Sequence, residues 1–99
     1  MARLPARSTA LLDDDVVQVT RWDFEPDAET GWHRHGLDYV IVPMTECSFL
    51  LEEPEGERRA EVPAGAVYRR SAGVEHNVVN GGERPMSFIE IEIKPRGPR

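Results

Sequence analysis

The sequence predicts an all-β fold, a sandwich or a barrel of short strands. Runs rich in Val, Ile and aromatic residues recur along the chain, and turns that contain Gly or Pro separate them. None of these runs repeats its apolar residues convincingly at helical spacing. A chain of 99 residues can form one domain with its own core. We expect this domain to span residues 9–94, with a flexible N-terminal arm over residues 1–8 and a C-terminal tail over residues 95–99.

Residues that favour turns bound each predicted strand. Asp14 lies in a run of three aspartates that ends a short first strand, because short carboxylates accept hydrogen bonds from their own backbone. Pro54 and Gly56 mark a hairpin in the same way. Besides a histidine-containing strand between Gly31 and Gly36, strands are expected over residues 9–12, 16–24, 38–42, 47–52, 58–62, 66–70, 76–80 and 88–94.

Two of these strands carry patterns that predict burial. Residues 39–42 form an apolar run that Pro43 ends, as in a strand buried on both faces. In the last strand Ile89, Ile91 and Ile93 alternate with charged residues. This alternation predicts that the isoleucines face the core and the charged side chains face water.

The three histidines of the chain are its strongest functional signal. Side chains at positions i and i+2 of a strand project from the same face, so His33 and His35 can direct two imidazoles at one point. His76 lies in a second predicted strand and can supply a third ligand to a metal ion. The alternative is that all three are ordinary polar residues of a metal-free structural barrel.

The residues around His76 resemble the second sequence motif of the cupin superfamily. That motif reads Gly, five residues, Pro-x-Gly, two residues, His, three residues, Asn. The chain matches it with Gly65, Gly73, His76 and Asn80, and has Ser71 in place of the proline.

The first motif of the superfamily is matched by Gly31, His33 and His35. The resemblance covers residues 16–93. It implies a cupin-type double-stranded β-helix, which is a jelly-roll barrel formed by a single domain, with the metal inside the mouth of the barrel.

The same resemblance implies an acidic fourth ligand four or five residues after the second histidine. Tyr39 and Val40 occupy those positions, and the nearest carboxylate is that of Asp38, three residues after His35. Asp38 would serve as the ligand if the turn at residues 36–37 is one residue shorter than usual. Otherwise the site has three histidines, with water in the remaining positions.

Residues 30–42 and 72–79 further resemble small bacterial cupins assigned to β-alanine degradation. A divalent transition metal (Fe, Mn, Ni or Zn) is implied, since imidazole suits Zn, Fe and Ni and an added carboxylate favours Fe(II) or Mn. Two functions stay open. One is a metal-dependent enzyme that acts on a small organic acid or a diketone-like metabolite, with a dioxygenase ahead of an isomerase or a decarboxylase. The other is a non-catalytic binder of a small molecule.

Side chains near the histidines are candidates for contact with a substrate. Tyr39 would act in catalysis if its ring faces inward, and Arg70, or its neighbour Arg69, would bind an anionic substrate. Asn80 is a further candidate. Each also has a structural explanation: Tyr39 as a core residue, Asn80 as a turn residue and the arginines as surface residues.

The composition of the chain limits which classes of partner and which cellular compartment are expected. A net charge of -6 and a pI near 5.0 argue against nucleic acid as a partner. No stretch approaches the roughly 18 apolar residues of a transmembrane helix, and no apolar run near Arg3 forms a signal peptide, so we expect a cytoplasmic protein away from membranes. The single cysteine, Cys47, is expected to be a buried, unreactive thiol. Analogy with small cupins implies a homodimer.

Overall fold

The computed structural model describes residues 2–95, which form two antiparallel β-sheets packed face to face. The prediction of an all-β fold is confirmed. Residues 2–95 contain no helix, and therefore none long and apolar enough to cross a membrane. The strands in this part of the chain are β1 (Arg7–Asp13), β2 (Val17–Phe24), β3 (His33–Arg34), β4 (Asp38–Pro43), β5 (Cys47–Glu53), β6 (Gly56–Val62), β7 (Tyr68–Arg70), β8 (Glu75–Asn80) and β9 (Met86–Ile93).

Neighbouring strands in each sheet come from distant parts of the chain. The larger sheet has the order β1-β2-β9-β4-β7, and the smaller sheet has the order β3-β8-β5-β6. The last strand, β9, thus lies in the middle of the larger sheet, between β2 and β4. In the smaller sheet β8 pairs with β3 and β5, which brings two distant segments of the chain side by side. This crossing connectivity is that of a jelly roll.

The core lies between the two sheets. The ring of Phe88 packs against Phe24 at 5.5 Å and against Phe49 at 5.7 Å between centroids, within the range of favourable aromatic contacts. Cys47 is 1% exposed, and burial raises the pKa of its thiol. It is therefore the buried, unreactive thiol that the sequence predicted.

The side chains of the last strand, β9, point to the opposite faces from those predicted. Glu90 and Phe88 both line the cavity between the sheets. Because side chains alternate along a strand, the isoleucines point away from this cavity, and Ile93 is 39% exposed. The prediction that the isoleucines face the core was wrong. Alternation shows that the two faces of a strand differ, but it does not show which face the opposing sheet covers.

The outer face of the larger sheet is accordingly apolar. Leu12 pairs with Val19, Val19 with Ile91, and Ile91 with Val40, so that these side chains form one row across four strands. The strand β4 was predicted to be buried on both faces. It is buried on its inner face and half-buried on this outer face.

The two ends of the chain lie partly outside the described residues, which exclude Met1 and residues 96–99. The first strand begins at Arg7, two residues before the predicted strand. Ahead of it, the amide of Ala6 donates to the carbonyl of Glu29 at 2.7 Å, and the amide of Glu29 donates to the carbonyl of Leu4 at 2.9 Å. Of the predicted C-terminal tail, only Pro95 is described.

Asn80 is fully buried and holds together the loops at one end of the barrel. Its Nδ2 donates to the carbonyls of Phe24 at 3.3 Å and Arg84 at 2.8 Å, and its Oδ1 accepts a hydrogen bond from the amide of Gly82 at 3.0 Å. These contacts give Asn80 a structural role, instead of the contact with a substrate for which the sequence made it a candidate.

We expect Asn80→Ala to lower the free energy of unfolding by about 2–4 kcal/mol. The substitution leaves two carbonyls and one amide without their partner and opens a cavity in the packed loops. Urea denaturation followed by circular dichroism measures the effect. Unchanged stability would contradict the structural role and would leave contact with a substrate as the role of Asn80.

Candidate metal centre

The structure brings the three histidines together at one end of the barrel, with their Nε2 atoms facing one another. The Nε2 of His35 lies 3.0 Å from that of His33 and 3.1 Å from that of His76. One ligand atom from each of the three lies within 4.8 Å of the others. A metal ion bound to all three would link β3, the residue just after it and β8.

Backbone pairing between β3 and β8 positions the histidines. His33 is the direct cross-strand partner of His76. Just beyond β3, the amide of His35 donates to the carbonyl of Val74, and the amide of Gly73 donates to the carbonyl of His35, both at 2.8 Å. Gly31 precedes the strand with a φ of 89°, a left-handed conformation that glycine adopts without strain. The glycines near the histidines therefore have a role in forming the site.

Burial keeps the imidazoles of His35 and His76 neutral. It lowers the pKa of His35 to about 3, with repulsion from His33 and His76 as further causes. It likewise lowers the pKa of His76 to about 4, with repulsion from His33 and from Arg70 contributing. Neutral imidazole has a lone pair on one ring nitrogen, which is the form that binds a metal.

The ring of His33 is oriented by contacts on its other nitrogen. Its Nδ1 lies 2.9 Å from the carbonyl of Gly31 and 3.3 Å from the hydroxyl of Thr30. The carbonyl can only accept, so Nδ1 carries the proton and Nε2 presents its lone pair to the other two histidines. The buried Nδ1 of His76 has no hydrogen-bond partner among the described residues.

The spacing of the nitrogens fits one metal ion. Ligand atoms bonded at about 2.1 Å lie about 3.0 Å apart at right angles and about 3.4 Å apart in a tetrahedron. The separations of 3.0 and 3.1 Å suit neighbouring ligands on one ion. They do not suit hydrogen bonds alone, because the Nε2 of His35 cannot serve both contacts with a single proton or lone pair. The donor set therefore fits a transition metal.

The structure does not bring Asp38 to the histidines. Its side chain is exposed on the outer face of β4, and its Oδ1 accepts a hydrogen bond from the amide of Ala72 at 2.8 Å. Of the two alternatives left open by the sequence, the geometry favours three histidines without Asp38.

Tyr39 and Arg70 both line the cavity beside the histidines. The Tyr39 ring is 2% exposed and stacks on the His35 imidazole with 3.8 Å between centroids and 17° between planes. Burial raises the pKa of the Tyr39 hydroxyl, which stays protonated at neutral pH. Arg69 pairs with Val40 on the outer face, so only Arg70 of the two predicted arginines faces inward.

Two spaces meet at the histidines. The inner cavity between the sheets leaves about 30 Å³ open to the centre of a water molecule. A more open recess, of about 280 Å³ by the same measure, also borders His33 and His35. The inner cavity is mostly apolar at the end away from the histidines, where Ile41, Phe49 and Leu51 line it.

Three residues that line the inner cavity were missed by the sequence reasoning: Trp22, Tyr68 and Glu90. Burial raises the pKa of the Tyr68 hydroxyl to about 12. Glu90 was assigned to a solvent-facing side of its strand. The inward Trp22 is a signal that could have corrected this, because Trp22 and Phe88 are cross-strand partners on the face that carries Glu90.

No protein-family model matches the chain. Over 92 residues it is 53% identical to the Beta-alanine degradation protein BauB of Pseudomonas aeruginosa, and the match covers 93% of this chain and 97% of that protein. A solved cupin domain from Bordetella pertussis Tohama I is 49% identical with a TM-score of 0.93, and covers 96% of this chain and 99% of that one.

A more distant structure shares the fold alone. A cupin-family protein with a double-stranded β-helix fold from Methanocaldococcus jannaschii is 11% identical with a TM-score of 0.76, and the match covers 90% of this chain and 80% of that one. The two relatives at about half identity span nearly the whole chain, and the solved one matches its fold with a TM-score of 0.93. The chain therefore belongs to the cupin superfamily, as a small single-domain member and a relative of BauB at 53% identity.

Proposed function

We propose that the chain is a metal-dependent enzyme that acts on a small organic acid in the degradation of β-alanine. The convergence of three imidazoles on one point, beside a small and mostly apolar cavity, is the observation that carries this proposal. The name of the relative BauB supports β-alanine degradation as the setting.

His33, His35 and His76 would hold a divalent Fe, Mn, Ni or Zn ion. Three protein ligands leave coordination positions open for a substrate or water, which a catalytic site needs and a structural site does not. When bound, such an ion supplies Lewis-acid chemistry or the activation of water or dioxygen.

The other inward side chains would orient the substrate. Arg70 offers a guanidinium fork that matches a carboxylate, and it is the arginine on the inner face. Tyr39 holds the His35 ring by stacking and keeps a protonated hydroxyl in the cavity. The apolar lining around Ile41 and Phe49 excludes bulk water from the inner side of the histidines.

A dioxygenase is the first activity to test. The inner cavity leaves room for about two water-sized molecules, which is also enough for dioxygen, whereas an organic substrate needs the larger recess. This division of space favours two reactants that occupy different spaces beside the histidines.

A non-catalytic binder of a small molecule is the second candidate. The small, mostly apolar inner cavity favours it, because ligand capture requires no room for a second reactant. A bound ligand that raises the melting temperature without being converted would support this function.

We also propose a cytoplasmic homodimer, without nucleic acid or membrane as a partner. The apolar row of Leu12, Val19, Ile91 and Val40 contains no carboxylate, although the chain carries 18 acidic residues and a net charge of -6. A second copy can pack on this row without opposing like charges, and a two-fold axis would pair the face with itself.

The purified protein is expected to contain nearly one metal ion per chain, and His76→Ala to lose it, because two imidazoles leave an ion weakly held. Asp38→Asn keeps the side-chain oxygen that accepts from Ala72 and is expected to retain the metal. Elemental analysis measures the content. Metal loss from Asp38→Asn would place Asp38 among the ligands, and absence of metal from the wild type after reconstitution would reject the enzyme.

The metal-loaded protein is expected to turn over at least one member of a panel of keto acids, diketones and small carboxylates. Arg70→Gln should raise KM about tenfold or more, since hydrogen bonds to charged groups contribute about 1.5–3 kcal/mol. Arg69→Gln on the outer face is the matched control and should leave KM unchanged. Oxygen uptake and product analysis measure the activity. Ligand-induced stabilisation without turnover of any compound would favour the binder.

Val19→Glu is expected to convert a dimer of the 11.2 kDa chain to a monomer, because it places a carboxylate in the centre of the apolar row. Leu4→Glu, at a residue that is 61% exposed beside Glu29, is the control and should stay dimeric. Light scattering after gel filtration gives the mass. A monomeric wild type, or a dimeric Val19→Glu variant, would refute this interface.

A further inference from the structure

Glu90 lines both the inner cavity and the outer recess. Trp22, His33 and His35 line both spaces, and Glu90 is the one carboxylate of the described residues that also lines both. Glu92, two residues further along the same face, lines the recess only. A ligand held at the histidines in either space therefore lies beside Glu90.

The surroundings of Glu90 give it no counter-charge. Its cross-strand partners are Thr20 and Ile41, and none of the ion pairs among residues 2–95 includes it. Burial raises the pKa of Glu90 to about 7, with repulsion from Glu92 adding to the shift and a hydrogen bond from Trp22 opposing it. The other titratable or charged side chains around the same two spaces are Arg34, Tyr39, Tyr68, Arg70 and the three histidines.

A carboxyl group in this position is costly to the fold. Transfer of a carboxylate out of water without a partner is unfavourable, and an apolar side chain between Thr20 and Ile41 would pack without that cost. Neither the metal ligands nor the packing of the core makes use of Glu90. Its place in the lining of both spaces with His33 and His35, in contrast, is what proton exchange with a ligand requires.

We propose that Glu90 accepts a proton from a weakly acidic ligand as that ligand binds at the histidine centre, and returns it on release. In this step the O–H bond of the ligand breaks and an O–H bond forms on the Glu90 carboxylate, so the ligand binds as an anion and no proton leaves the protein. The inference rests on the proposed metal-dependent function. It narrows the ligands to small molecules with an acidic hydroxyl, such as an enol or a hydroxy acid, at the end that faces the histidines.

The test counts protons during binding of acetohydroxamic acid, a weakly acidic chelator, to the cobalt-loaded protein. Calorimetry at about pH 8 in buffers of different ionisation enthalpy gives the protons released per ligand bound, because Glu90 is then mostly ionised and the free probe mostly protonated. The wild type is expected to release almost none, because the negative charge of the bound probe further disfavours the ionised form of Glu90 and keeps the proton on it. Glu90→Gln should release about one, since its amide cannot accept the proton. Glu92→Gln, the matched control on the same face, should behave as the wild type.

Each of the other possible outcomes of this titration would contradict one specific part of the proposal. Equal proton release by the wild type and Glu90→Gln would refute proton acceptance by Glu90, and so would a wild type that binds metal but not the probe. Loss of cobalt from Glu90→Gln alone would instead make Glu90 a support of the metal. Failure of all three proteins to bind cobalt would overturn the proposed metal-dependent function, and elemental analysis before the titration separates this failure from the others.

Discussion

The close packing of three imidazoles is the constraint that the rest of the structure has to satisfy. With Nε2 atoms only 3.0 and 3.1 Å apart, ring protons cannot satisfy every contact, because each neutral ring has a single donor and a single acceptor. Protonating all three rings would place like charges in contact inside the barrel. Burial opposes that outcome, as the lowered pKa values of His35 and His76 indicate. A bound cation would remove the conflict by accepting all three lone pairs.

The backbone around the histidines maintains this arrangement in the described structure. The strand β3 contains only two residues, yet its pairing with β8 sets His33 opposite His76, and two further backbone hydrogen bonds fix His35 to the segment before β8. The free energy that keeps these short segments in place comes from elsewhere in the barrel. The aromatic core around Phe88 and the buried amide of Asn80 anchor the strands on either side. The metal site is therefore stabilised by parts of the molecule that do not touch it.

Much of the fold could be predicted from the sequence, because it depends on local signals. Turns rich in Gly and Pro, and β-branched runs between them, gave strand positions close to those observed, and the spacing of the two motifs identified the three histidines. The orientation of strands was less predictable. In β9 the alternation of Ile and Glu was read with the wrong face inward, since the choice of face depends on a sheet formed by strands from distant parts of the chain.

The alternation of side chains along a strand decides whether Asp38 or Tyr39 can lie beside the histidines. Asp38 and Tyr39 are consecutive in one strand, so their side chains point to opposite faces, and both cannot reach the histidines. Tyr39 stacks on His35 and therefore lies on the inner face of β4. Asp38 consequently lies on the outer face. In the sequence analysis both residues remained candidates. That they exclude each other follows only once β4 is known to be a regular strand from its first residue, Asp38.

The larger sheet departs from a simple soluble barrel on both faces. Its inner face carries Arg70 and Glu90 beside the apolar core, and its outer face carries a row of Val, Ile and Leu side chains. Buried charged groups lower stability unless they are paired, so a sequence selected for stability alone would replace Arg70 and Glu90 with apolar residues. Polar side chains that are kept inside at this cost are expected where a fold supports chemistry. The superfamily thus accounts for the scaffold and for the three histidines, and the inner face of the larger sheet, opposite them, is where this chain can set its choice of ligand.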